Sequence, residues 1–185
     1  MKHILQKIDS LSIELFGAVD LNKINFVSNN DDLRTAIDQM PGSTHYRLMC
    51  LLSTLFNNET IYELGTHAGG GTLCLAYNKT NYVISYDYEY NVQVKKQSNT
   101  EFRIGDYQKD KALLSSPFIF IDINPNDLLY RRIYQYLIDN RYRGFTVWNN
   151  IHYNQEMQNF WDEVVFEKRD ITNYGSQAGT GVIIF

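Results

Sequence analysis

The 185-residue sequence predicts one α/β domain organised on an open, mainly parallel β-sheet. Three observations carry this prediction. Strand-type and helix-type stretches alternate from about Thr60 onward, as they do in a chain of βαβ units. Thr60 to Thr72 passes from a buried strand through a glycine turn, with Gly65, Gly69, Gly70 and Gly71, into a helix start. Pro117-Phe118-Ile119-Phe120-Ile121-Asp122 is an almost uniformly apolar run, which is what a central strand covered on both faces requires.

The N-terminal third reads as helical cover. Lys2 to Phe16 carries Ile4, Leu5, Ile8, Leu11, Ile13 and Leu15 at spacings compatible with a short amphipathic helix. Asp20 to Asn30 is polar and loop-like, Asp31-Asp32 opens a short helix to about Met40, and Pro41-Gly42 stops it. Ser43 is then a suitable N-cap for a helix whose apolar face is Tyr46, Leu48, Met49, Leu51, Leu52 and Leu55. At its start, His45 and Tyr46 either face a ligand cleft or serve capping and packing. The whole of 1–185 is expected as a single domain, with 1–57 as its N-terminal cover.

Past the glycine turn a helix runs to about Tyr77, and Tyr82 to Asp87 is a β-type run that ends in an acid. Asn91 to Ser98 has helical spacing, with Lys95 and Lys96 on a solvated face. Glu101 to Ile104 is a short strand followed by Gly105-Asp106. A helix from Leu128 to Asn140 carries Arg131 and Arg132 on its solvated side. Gly144 to Asn150 is the next strand and its tip, and Glu156 to Val164 the next helix, with Met157, Phe160, Trp161 and Val164 on one side. Phe166 to Thr172 and Thr180 to Phe185 close the chain as an antiparallel hairpin around Asn173 to Gly179. No internal repeat, low-complexity tract or linker interrupts the pattern.

Composition narrows the function classes. A net charge of -4 argues against a domain that grips nucleic acid through phosphate neutralisation. Cys50 and Cys74 sit in apolar helical patterns and read as buried structural thiols; with no leader or long apolar run, the chain is expected to be cytoplasmic and free of the membrane. Homo-oligomerisation stays open, and nothing in the sequence names a substrate.

The polar residues at the strand ends carry the chemistry. Glu63 closes the first strand, where its carboxylate can hold loop amides or a cationic ligand group. Asp87 ends the second strand about two dozen residues later, where an acid meets the ribose hydroxyls of a bound nucleoside or else caps the following segment. Asp106 either accepts from an adenine amine or serves as a turn aspartate. Asp122 and the Asn149 to His152 turn collect at the same carboxyl edge, where open α/β sheets place their ligands.

Taken together, Glu63-Leu64-Gly65-Thr66-His67-Ala68-Gly69 and Phe118-Ile119-Phe120-Ile121-Asp122 resemble the first glycine turn and the fourth strand of class I S-adenosylmethionine-dependent methyltransferases, in their small O-methyltransferase-like branch. The resemblance covers about Tyr46 to Phe185. It implies a Rossmann-like sheet ordered 3-2-1-4-5-7-6 with strand 7 antiparallel, and S-adenosylmethionine as cofactor. It also implies that Glu63, Gly65, Thr66 and Gly69 lie at the methionine portion, Asp87 at the ribose and Asp106 at the adenine. The implied activity is O-methyl transfer to an unidentified acceptor; the alternative is a catalytically silent cofactor-binding partner subunit. A nicotinamide enzyme would need glycine where His67 stands.

In catechol-type relatives of this branch, an aspartate after strand four and an Asp-Asn pair after strand five hold magnesium. The corresponding positions here are Asp122 and Asn149-Asn150, so one carboxylate is an amide and no metal is expected. Asp122 or His152 is then the candidate catalytic base, His152 having the more suitable ordinary pKa.

Overall fold

The computed structural model describes residues 2–24 and 42–185. Seven strands, β1 (Thr60–Leu64), β2 (Tyr82–Asp87), β3 (Thr100–Ile104), β4 (Phe118–Ile121), β5 (Phe145–Asn149), β6 (Glu167–Asp170) and β7 (Thr180–Ile184), form one sheet. Its order is β3-β2-β1-β4-β5-β7-β6, as the resemblance implies. Strands β1 to β5 pair in parallel, while β7 runs antiparallel to both β5 and β6. Leu64 lies beside both Tyr86 and Ile121, and Ile121 beside Trp148, so the residues that follow β1, β2, β4 and β5 emerge together at one edge.

Side-chain alternation builds a core on each face. Ile61, Phe118, Phe120, Phe145 and Val147 pack on helices α3 (Gly42–Ser53) and α4 (Gly70–Leu75). Tyr62, Ile119, Ile121 and Trp148 pack on α5 (Asp127–Asp139) and α6 (Gln155–Glu163). The apolar run of β4 thus divides its alternate residues between two helical layers, which is why it carries no polar residue. Asn126 and Asn154 cap α5 and α6, accepting from the amides of Leu129 and Met157 at 3.2 and 2.9 Å.

The N-terminal segment joins the first layer. Helices α1 (Lys2–Asp9) and α2 (Ile13–Gly17) bring Ile4, Ile8 and Phe16 into the core of α3 and α4. Arg47 of α3 ties them down by donating to the Phe16 and Val19 carbonyls at 3.0 and 2.7 Å.

Several elements differ from expectation. The single helix predicted over Lys2 to Phe16 is two, because Ser10 turns its amide and hydroxyl back onto the Lys7 carbonyl and ends α1. The Asp20 loop contains a 3-10 turn at Leu21–Lys23. Helix α3 begins at Gly42, which puts Ser43 inside its first turn rather than at its cap. The helix expected from Asp31 to Met40, and the stop at Pro41, lie outside the described residues. The helix predicted over Asn91 to Ser98 is absent: the segment is extended, with the Gln93 amide donating to the Ala68 carbonyl at 3.0 Å and Val94 buried. Val92 and Val94 alternate with polar neighbours, and β-branched residues at period two favour this extended path over a helix.

Candidate active site

A cleft of about 650 Å³ opens over the carboxyl edge of the sheet. Leu64, Tyr86, Tyr88, Tyr107, Ile123 and Leu129 give it apolar surface, Asp87, Glu89, Asp122 and Asn150 give it polar groups, and Arg132 adds a cation. Arg132, expected on a solvated face, is exposed yet borders this cleft, whereas Arg131 pairs with Asp127 and Glu163.

The glycine turn shapes the cleft floor. Gly65 has φ +100°, its amide donates to the Tyr86 carbonyl at 2.8 Å, and a Cβ there would lie 2.6 Å from the carbonyl carbon of Asp122. Both its backbone angle and this contact with the end of β4 therefore demand glycine. Gly69, at φ +91°, leaves room for Val94, whose Cγ2 would be 2.6 Å from an added Cβ. Between them His67 takes a left-handed φ of +46°, and its amide donates to Asp87 Oδ2 at 2.8 Å. Asp87 Oδ1 accepts from the Tyr88 amide at 2.7 Å, so this one carboxylate stitches the first turn to the end of β2 while still bordering the cleft.

Glu63 and Thr66 lie beneath the turn rather than in the cleft. Glu63 is 1% exposed, and its Oε2 accepts from Ser85 Oγ at 2.5 Å and from the Thr72 hydroxyl. Thr66 is buried, with its hydroxyl 2.6 Å from Ser85 Oγ. Burial raises the Glu63 pKa to about 8; the Ser85 and Thr72 hydroxyls act against this, and the charges of Asp122 and Asp87 add to it. Glu63 therefore braces β1, β2 and α4 from inside. The sequence shows the acid but not the two hydroxyls that hold it.

At the tips of β4 and β5, Asp122 Oδ1 accepts from Asn149 Nδ2 at 2.8 Å and Asn150 Nδ2 at 3.1 Å. Asn149 is committed at both ends, since its Oδ1 accepts from Thr180 Oγ1 at 3.2 Å. Amides that aim N–H groups at the one carboxylate do not suit a hard cation, which needs oxygen donors turned inward. On the other side of Asp122, His45 Nε2 lies 3.9 Å from Oδ2.

Two candidates stand apart from this cluster. His152 does not approach Asp122: its Nδ1 meets Gln158 Oε1, its Nε2 meets Asp170 Oδ2 at 2.6 Å, and its amide donates to the Ala178 carbonyl at 2.8 Å. With both ring nitrogens engaged, it ties the β5 tip to α6 and β6. Asp106 is exposed between Gly105 and Tyr107, which border the cleft, and its Oδ1 accepts from the Gln108 amide at 3.0 Å as a turn aspartate does.

No protein-family model matches this sequence, and no curated protein does either. Solved structures do match in fold. An O-methyltransferase from Bacillus cereus in complex with SAH is 15% identical with a TM-score of 0.55, over 86% of this chain and 93% of that one. An SAH-bound methyltransferase from Podospora anserina is 12% identical with a TM-score of 0.57, over 95% and 97%. The O-methyltransferase TomG from Streptomyces achromogenes, involved in tomaymycin synthesis and solved with SAM, is 15% identical with a TM-score of 0.55, over 94% and 99%. The chain therefore has the class I methyltransferase fold. Among the described residues no helix is long and apolar enough to cross a membrane.

Proposed function

We propose that this chain is an S-adenosylmethionine-dependent methyltransferase that carries out O-methyl transfer without a metal ion. The observation that carries the reading is Asp87, a carboxylate held by two loop amides at the tip of β2 and bordering a cleft of about 650 Å³, a volume suited to a nucleoside-sized ligand. In this reading Asp87 takes the ribose hydroxyls and Gly65 offers bare backbone to the methionine portion. Tyr88 and Tyr107 border the purine, with Asp106 as partner of its amine. Glu63, Thr66 and Gly69 support the turn from behind. When bound, S-adenosylmethionine supplies an electrophilic methyl group. Asp122, fixed through Oδ1 by Asn149 and Asn150, is the polar group that faces the acceptor. Alignment and removal of the acceptor's proton are what the chain itself must contribute.

The second reading, a silent cofactor-binding subunit, is favoured by Asn149, whose amide is spent on Asp122 and Thr180. Incubation with S-adenosylmethionine labelled in its methyl group, across a panel of phenols, alcohols and amines and with a chelator present, separates the two. Label transferred under chelation supports the metal-independent enzyme. Transfer that appears only with added magnesium contradicts it, and binding with no transfer to any acceptor favours the silent subunit.

A further inference from the structure

Strand β3 is one edge of the sheet, and its outer side is open. The Asn99 carbonyl accepts from the Val83 amide, and the Gly105 amide donates to the Asp87 carbonyl, both at 2.9 Å, so residues 99 and 105 turn their backbone toward β2. By the alternation of a strand, Thr100, Phe102 and Ile104 turn theirs outward. The Thr100 amide donates to the Gln97 carbonyl at 3.2 Å, but the Phe102 and Ile104 amides and all three carbonyls meet no partner among the described residues. Such a row is a template for another strand. The side chains decide which strand. Glu101 and Arg103 share one face, 32% and 33% exposed, with Arg103 Nε 2.6 Å from Glu101 Oε1. Phe102 lies on the other face, toward Gly69, and Ile104 beyond it is 50% exposed. Charges on an edge ordinarily turn other chains away. Here their order is self-complementary: in an antiparallel pairing of two copies centred on Phe102, Glu101 falls opposite an arginine and Arg103 opposite a glutamate. The backbone agrees with that register. Phe102 faces outward and so takes the hydrogen-bonded centre, which leaves Glu101 and Arg103 at the non-hydrogen-bonded positions, where opposed side chains come closest.

We propose that β3 is a dimerisation edge whose partner is the β3 of a second copy of this chain, antiparallel to it about a two-fold axis at Phe102. Phe102 and the partner's Phe102 exchange both of their backbone hydrogen bonds. Ile104 donates its amide to the carbonyl of the partner's Thr100, and its exposed side chain lies against that threonine. Glu101, already paired with Arg103 in its own chain, gains the partner's Arg103, so charges of alternating sign close a ring across the axis. The two sheets become continuous. Because the paired strands run in opposite directions, the two carboxyl edges point to opposite ends and neither cleft is covered. The dimer needs no ligand, so it stands whether or not the cleft takes S-adenosylmethionine.

The test is sedimentation of the unliganded full chain at concentrations up to about 1 mM, joined to residue-resolved amide exchange over the same range. A mass that rises from 21.6 kDa toward twice that value, with the Phe102 and Ile104 amides exchanging more slowly as dimer forms, is expected. A mass that stays at 21.6 kDa throughout overturns the proposal, and so does a dimer in which those two amides exchange as fast as in the monomer. Charge reversal gives a second measurement. Glu101→Arg and Arg103→Glu each set like charges opposite one another across the axis, so each variant alone, folded by circular dichroism, should dimerise about 10-fold more weakly or worse. Mixed together, the two variants again present opposite charges and should recover dimer; a mixture no better than its components overturns the register. Arg103 also holds Asp110, and the exchange measurement on the native chain decides the matter even if Arg103→Glu does not fold.

Discussion

Replacing Glu63 by glutamine should make the protein less sensitive to rising pH. Glu63 is buried at the junction of β1, β2 and α4, and its pKa lies at about 8 in the fold against 4.5 as the ordinary value. Below the ordinary value both folded and unfolded chains hold the proton. Between it and about pH 8 the unfolded chain releases the proton while the folded chain keeps it, so the equilibrium moves toward unfolding as pH rises. Above about pH 8 both are ionised and the penalty is constant. The separation of the two values corresponds to roughly 5 kcal/mol, an upper figure because water and the Ser85 and Thr72 hydroxyls can adjust around the charge. Glutamine keeps the shape and can still exchange hydrogen bonds with both hydroxyls, but it has no proton to lose. Urea unfolding of both proteins from about pH 5 to about pH 9 isolates this residue, since every other titration cancels in the difference. The variant should gain on the native chain steadily as pH rises and level off near pH 8. Parallel curves, or a variant that loses ground, would refute the buried, protonated Glu63.

Gly65→Ala should cost about 2–4 kcal/mol of stability, from a left-handed backbone angle and a side chain driven into the end of β4; native-like urea unfolding would contradict that crowding. Asp87→Ala should weaken SAH binding by about 1–3 kcal/mol in calorimetry, and unchanged affinity in the folded variant would remove Asp87 from the ribose role. Asn149→Asp sets a second carboxylate against Asp122, so its melting temperature should fall and be regained with millimolar magnesium. A melting temperature that stays level in both conditions would show that the amide is not what keeps a cation from this position.

Most of the sheet was legible because its strands carry local signals. The alternation of β and α patterns, the uniformly apolar β4 and the acids that end β1 and β2 are each readable over a few residues. Asn91 to Ser98 misled because helical spacing of its charges outweighed the alternation of Val92 and Val94, and only packing under Gly69 decides between them. The site was legible in position more than in role. Asp87 and Asp122 do face the cleft. Glu63 and Thr66 turn inward because Ser85, on the next strand, meets both of them. No local pattern announces that His152 is occupied by Gln158 and Asp170, or that His45, some 77 positions before Asp122 in the chain, comes to face it. Those are consequences of topology, which brings the start of α3 to the carboxyl edge of the sheet.

Titration of the chain with SAH in a calorimeter, alongside NAD and ATP, decides whether the cleft takes S-adenosylmethionine. Saturable binding of SAH at one molecule per chain, weakened in Asp87→Ala, with no comparable heat from NAD or ATP, is expected. Binding of NAD or ATP in preference to SAH, or no SAH binding by the folded protein, would contradict S-adenosylmethionine as the cofactor.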